Sequence, residues 1–278
     1  MRTYSNKIAL IRNSRGIYCL DTSMGCESGL RHDKKGCYSD CYAVKSAKIY
    51  GYDFAKTILR NFESESHKRK IVTQINNVKL DFVRIGCSGD PSENWQHCID
   101  IIKAIQWANK QIVIITKHWS NLATEQLEYL STINICINTS VSAMDKPELL
   151  SNSLEQYHRI KKYCKSILRI VSCDFNLENE TGLKLSLLQK ELFKNENTID
   201  TIFRPAKNNP LVVDGIVNVK QGMFNGSKAL LSKYNKKTYS GKCSNCKEMC
   251  GAEMNNPNYI YIKKRSLIKQ IPIWQNTR

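Results

Sequence analysis

The chain has 278 residues with 41% apolar content, which fits a folded protein with a substantial core and excludes a disordered polyelectrolyte. Its formal net charge of +17 favours polyanionic partners, nucleic acid foremost, against the plain alternative of a lysine-rich background. Twelve cysteines, a polar start and a following apolar run broken by Arg12, Asn13 and Arg15 argue for a cytoplasmic protein with reduced thiols and no signal peptide, and no run approaches the roughly 20 apolar residues of a membrane span.

In chain order, Gly16–Leu20 reads as a short strand and leads into MGCESGLRHDKKGCYSDCYA. Cys26, Cys37 and Cys41 stand there as C-x10-C-x3-C. Thiolates are soft ligands suited to an iron–sulfur cluster or zinc. A structural zinc site is closed by four protein ligands, whereas three cysteines leave one iron of a [4Fe–4S] cluster open. A helix is expected from about Tyr42 to Asn61, a strand at Leu80–Gly86, and a helix from Glu93 to Lys110 behind the cap candidate Asp90-Pro91-Ser92. Further strands are expected at Gln111–Thr116, Ile133–Ser140, Lys165–Val171 and Ile199–Phe203. Helices are expected at Leu122–Leu130, Pro147–Tyr163 and Gly182–Phe193. Apolar strands alternating with helices indicate a parallel sheet covered by helices, either a full or partial β/α barrel or an open doubly wound sheet. In both architectures ligands gather at the carboxyl ends of the strands, where the first cysteine loop stands.

Cys26, Cys37 and Cys41 after strand one of six β/α units resemble the radical S-adenosylmethionine (radical SAM) superfamily. The usual spacing there is C-x3-C-x2-C, so the long loop departs from the commonest pattern and matches long-loop relatives. Cys41-Tyr42-Ala43 is similar to small, often phage-encoded radical SAM-like proteins. The resemblance covers residues 15–205 in element order and implies a partial (β/α)6 barrel over 1–206 with a cysteine-containing extension over 207–278. It implies a [4Fe–4S] cluster on Cys26, Cys37 and Cys41, with Tyr38, Asp40 and Tyr42 around it. Ser88-Gly89-Asp90-Pro91 resembles the Gly-Gly-Glu-Pro segment that meets the SAM amino group; the plain alternative is a turn capping the next helix. By position, Asn138, Ser140, Ser142 and Arg169 are further cofactor contacts, and Lys117, His118, Ser172 and Arg204 also end strands. The implied activity is reductive cleavage of SAM to a 5′-deoxyadenosyl radical, fed by a flavodoxin- or ferredoxin-type electron donor. The substrate is unidentified, with the charge favouring a nucleotide or nucleic acid.

Residues 207–242 read as a basic, linker-like region, followed by Cys243, Cys246 and Cys250 as C-x2-C-x3-C. An auxiliary iron–sulfur cluster and zinc both suit that trio. No histidine follows His158, so a fourth ligand would be a group such as Glu248 or come from elsewhere in the fold. The other cysteines, Cys19 and Cys87 among them, read as small buried hydrophobes. The tail Tyr259–Trp274 mixes aromatic and basic residues, suiting base stacking or a plain amphipathic strand. The rival to the enzyme is a non-catalytic nucleic-acid-binding protein in which both cysteine groups hold zinc.

Overall fold

The computed structural model describes residues 5–32, 40–246 and 249–252. Cys37, Tyr38, Glu248 and the tail Tyr259–Trp274 lie outside them. The elements begin with β1 (Ile11–Arg12), β2 (Tyr18–Cys19), β3 (Ser23–Met24), α1 (Glu27–His32), α2 (Tyr42–Ile49) and β4 (Ile58–Leu59). There follow α3 (Glu65–Asn76), β5 (Phe82–Ile85), α4 (Trp95–Ala104), β6 (Gln111–Thr116), α5 (Thr124–Ser131) and β7 (Ile135–Val141). The order continues with α6 (Pro147–Ile160), β8 (Lys165–Ser172), α7 (Glu180–Leu192), β9 (Thr198–Ile202), α8 (Pro210–Val213), β10 (Lys220–Phe224) and β11 (Ser227–Leu231).

The architecture is a mixed α/β fold around an open seven-stranded sheet, ordered β1-β2-β5-β6-β7-β8-β9. Only β1 runs antiparallel to its neighbour. From β2 onward the strand order follows the chain and never reverses. Strand residues alternate between two faces. Val83, Ile85, Ile112, Ile114, Ile135 and Ile137 pack with apolar residues of α3, α4 and α5 in the main core. Leu168 and Ile170 face Tyr157 of α6 and Leu192 of α7. The opposite, inner face carries Cys19, Phe82, Val113, Cys136, Ile167 and Ile199, and Cys243 and Cys250 pack onto it.

Local chemistry explains the helix starts. Ser64, Asn94 and Asn179 accept backbone N–H groups of His67, His97 and Gly182 at the starts of α3, α4 and α7. Pro147 occupies the first turn of α6, where its missing N–H costs nothing.

Three expectations need correction. The helix expected to Asn61 stops at Ile49, and Gly51, at φ 72°, turns the chain towards β4. Helix α3 was not expected, because its buried contribution is little more than Ile71 and Ile75, one turn apart in a strongly polar segment. The linker-like region contains the hairpin β10–β11. Its turn, Asn225-Gly226, has φ of 51° and 84°, the two-residue turn that Asn-Gly favours. The hairpin is tied to the sheet by a bridge from Ser232 to Phe203, and Val217 bridges to Phe175. Among the described residues, no helix is long and apolar enough to cross a membrane.

Candidate functional site

The loops after β2 and β5 are locked together by a residue that sequence reasoning missed. Asp21 is buried. Its carboxylate accepts the backbone N–H groups of Gly86 at 3.1 Å, Cys87 at 2.7 Å and Ser88 at 3.0 Å. Burial pushes its pKa up, and these donors counter only part of that. Beyond it, Gly25 donates to the Ser88 carbonyl at 3.1 Å. A Cβ on Gly89 would stand 2.5 Å from the Ser23 carbonyl oxygen. The close approach that Gly89 permits is therefore between two loops of the chain itself.

Cys26 and Cys41 meet on this platform. Both pack against the cluster of Ala43, Ala47 and Phe54. Both line one cavity of ≈ 120 Å³, whose other walls include Tyr42, Gly86, Cys87, Gly89, Asp90 and Trp119. Burial pushes the Cys41 thiol up, against the helix-start N–H groups of Val44 and Ala43 and the charge of Lys45. The Tyr42 ring is largely exposed, but its hydroxyl reaches in and donates to the Cys87 carbonyl. Asp40 accepts from the backbone N–H of Ala206 at 3.0 Å and from Asn209, tying the end of the cysteine loop to the chain beyond β9. Glu93 accepts from the backbone N–H and hydroxyl of Ser28, at 2.9 and 3.0 Å, and fixes the start of α1.

The Ser88–Pro91 segment thus borders the cavity, but the Asp90 side chain is fully engaged within the protein. It accepts from the Ser92 N–H and hydroxyl at 2.9 and 2.7 Å, the Thr116 hydroxyl at 2.7 Å and the Lys117 N–H at 2.7 Å. Pro91 opens a 3-10 turn capped by Asp90, so the capping role and the cavity wall coexist. Lys117 pairs with Asp145 at 2.6 Å in a buried ion pair. His118 is fully buried with its pKa pushed down to about 3, a neutral ring joined to Thr139 rather than a titrating group.

The remaining predicted contacts lie elsewhere. Asn138, Ser140, Ser142 and Arg169 do not line that cavity. The Ser142 hydroxyl donates to the Val171 carbonyl at 2.9 Å. Ser140 lies beside Arg169 in the β7–β8 register. Asn138 donates to the Cys250 carbonyl at 3.0 Å, and Arg169 points an N–H at the Cys250 sulfur, 3.4 Å away. The C-terminal segment occupies the inner face at Asn138 and Arg169.

The second trio is not assembled as a ligand set. Among the described residues no group of three or more His, Cys, Asp or Glu is gathered to hold a metal. Cys243 opens a 3-10 turn, and Ser244 donates to the Arg15 carbonyl at 3.2 Å. Cys250, in the left-handed region at φ 54°, faces Arg84 at 3.0 Å instead. Gly251 follows because a Cβ there would press 2.8 Å from Ile167. Burial pushes the Cys250 thiol up, but the guanidiniums of Arg84 and Arg169 outweigh it and its pKa falls below the ordinary thiol value. Cys19 and Cys87 were expected as isolated buried thiols. The structure joins them in a disulfide with Cα atoms 6.4 Å apart, because Cys19 ends β2 and Cys87 stands in the loop just after the adjacent parallel β5.

Around Cys243 and Cys250 stand four arginines. Arg84 is buried, while Arg15, Arg169 and Arg204 are half-buried. The Phe224 ring lies under two of them, with Arg15 at 4.4 Å and Arg204 at 4.0 Å. Burial, with Arg15 and Arg169 nearby, pushes Arg204 down to about 10. Two like charges about 7 Å apart repel by roughly 2 kcal/mol at an effective dielectric of about 20, so such a gathering is costly without anions. The arginine at the centre of β5 was legible as an anomaly: Phe82-Val83-Arg84-Ile85 places a guanidinium inside a wholly buried strand.

No protein-family model matches the chain, and no curated protein matches it.

Proposed function

We propose that the chain is a radical SAM enzyme built on a partial (β/α)6 barrel formed by β2 and β5 to β9. The observation that carries this reading is the meeting of Cys26 and Cys41 with the Ser88–Pro91 segment around one cavity at the carboxyl ends of β2 and β5. The strand order supports it: a doubly wound sheet reverses its order at a switch point, and this one does not. Helices on one face, and an inner face that carries Arg84, Asn138 and Arg169 among its apolar residues, also suit a partial barrel.

The donor set fits a [4Fe–4S] cluster. Cys26, Cys37 and Cys41 would hold it and leave one iron open for SAM. The chemistry supplied by that pair is one-electron cleavage of the SAM sulfonium to a 5′-deoxyadenosyl radical. The protein's part is placement. Asp21 fixes the backbone of residues 86–88, the glycines let the two loops close on each other, and Trp119 and the Tyr42 hydroxyl wall the cavity. A cytoplasmic setting with a flavodoxin- or ferredoxin-type reductant belongs to the same reading. The rival, a zinc-bearing nucleic-acid-binding protein, would need Cys243, Cys246 and Cys250 gathered as ligands, and among the described residues they are not.

The test is anaerobic reconstitution with iron and sulfide, then addition of SAM and dithionite. Release of 5′-deoxyadenosine supports the reading. A colourless, zinc-bearing protein that leaves SAM intact rejects it.

A further inference from the structure

We infer that Arg15, Arg84, Arg169 and Arg204 form a binding site for a phosphate ester on the inner face of the sheet. The four come from separated places in the chain: the turn before β2, the middle of β5, the middle of β8 and the second residue after β9. Arg84 and Arg169 converge on one sulfur, at 3.0 and 3.4 Å. Arg15 and Arg204 share the Phe224 ring, which holds both guanidiniums in place. Among the described residues, none of the four makes an ion pair with a carboxylate. Two buried polar atoms in the same place also lack partners among those residues: the Arg84 Nε–H and the Asn138 Oδ1. Buried polar groups are normally satisfied, so the unsatisfied Nε–H donor marks where a ligand oxygen belongs.

Guanidinium forks match the geometry of phosphate oxygens, and arginine serves this recognition better than lysine. Four cations gathered without a carboxylate select a ligand with more than one negative charge. A single carboxylate would leave most of them uncompensated. To call this ligand the substrate rests on the radical SAM reading; that it binds does not.

The test is therefore a binding measurement on the full chain, with neither SAM nor reductant present. Titration calorimetry is run with thymidine 5′-monophosphate, inorganic pyrophosphate and uncharged thymidine. The expected result is binding of the two phosphate compounds and not of thymidine, weakened at least tenfold by Arg15→Gln and by Arg204→Gln. Both positions are half-buried, so these variants keep the test valid if Arg84→Gln fails to fold. Lys184→Gln, on the exposed face of α7, is expected to change nothing. Tighter binding of the nucleotide than of pyrophosphate would assign the organic part a share of the recognition; equal binding would leave it to the phosphate alone. Failure of both phosphate compounds to bind, or binding unchanged in Arg15→Gln and Arg204→Gln, would overturn the inference. Either result can be read whether or not the protein cleaves SAM.

Discussion

The two cysteine regions are alike as strings of letters and unlike as environments. Cys26 and Cys41 border a cavity and pack against Ala43, Ala47 and Phe54. Cys250 is wedged against the inner face of the sheet, held at its carbonyl by Asn138 and at its sulfur by Arg84 and Arg169. The first region has room beside its sulfurs. The second packs its thiol onto the sheet and sets cations against it. Spacing counts thiols, but what a thiol can hold is decided by the residues packed around it.

The comparison breaks most decisively at the thiols themselves. On the proposed reading, Cys26→Ala, Cys37→Ala or Cys41→Ala is expected to reduce 5′-deoxyadenosine release to background, because each would remove one of the three proposed cluster ligands. Full activity in any one of them would remove the basis for separating the regions. The next largest effect is expected at Asp21→Ala, which leaves three backbone donors without their charged acceptor. Loss of hydrogen bonds to a charged group places the cost at roughly 3 kcal/mol, read from denaturant midpoints. Gly89→Ala is expected to cost about 1–3 kcal/mol, since its Cβ must push the Ser23 carbonyl from 2.5 Å, and to weaken SAM binding with it.

A pH series sharpens the far wall of the first region. His118 precedes Trp119 and stays neutral in the fold down to about pH 3. The unfolded chain takes up a proton on this ring near pH 6.5. Above that pH the ring is neutral in both states and contributes no slope. As pH falls from there towards 3, only the unfolded state gains the proton, so stability drops by up to about 1.4 kcal/mol per pH unit. Asp21 and Asp90, whose pKa values are raised by burial, act in the opposite direction. The effect is therefore read as the difference between wild type and His118→Asn, whose side chain tolerates the left-handed φ of 55°. The smallest effect is expected at the second region: Cys250→Ala leaves the iron content of the reconstituted protein unchanged, near about four per chain. A fall from about eight to four would place a second cluster there.

Much of this was legible in the sequence. The strand at Gln111–Thr116 is where its β-branched run predicts it, and the six parallel strands follow from the alternation of apolar runs with helices. The Asn225-Gly226 turn is a hairpin signal too, but the lysine-rich stretch around it hides the alternation of its strands. Other features were not legible, because they depend on pairs brought together by folding. Asp21 shows its role only against residues 86–88, and Cys19 and Cys87 become a pair only when β2 and β5 are neighbours. The separation of Asn138 and Arg169 from Ser88–Pro91 required knowing that the C-terminal segment returns to the inner face.

One assay decides whether the first cysteine region alone carries the proposed chemistry. Wild type, Cys41→Ala and Cys250→Ala are reconstituted anaerobically, supplied with SAM and dithionite, and assayed for 5′-deoxyadenosine. Release is the expected result for wild type and for Cys250→Ala, and none for Cys41→Ala. No release by wild type, or undiminished release by Cys41→Ala, would contradict it.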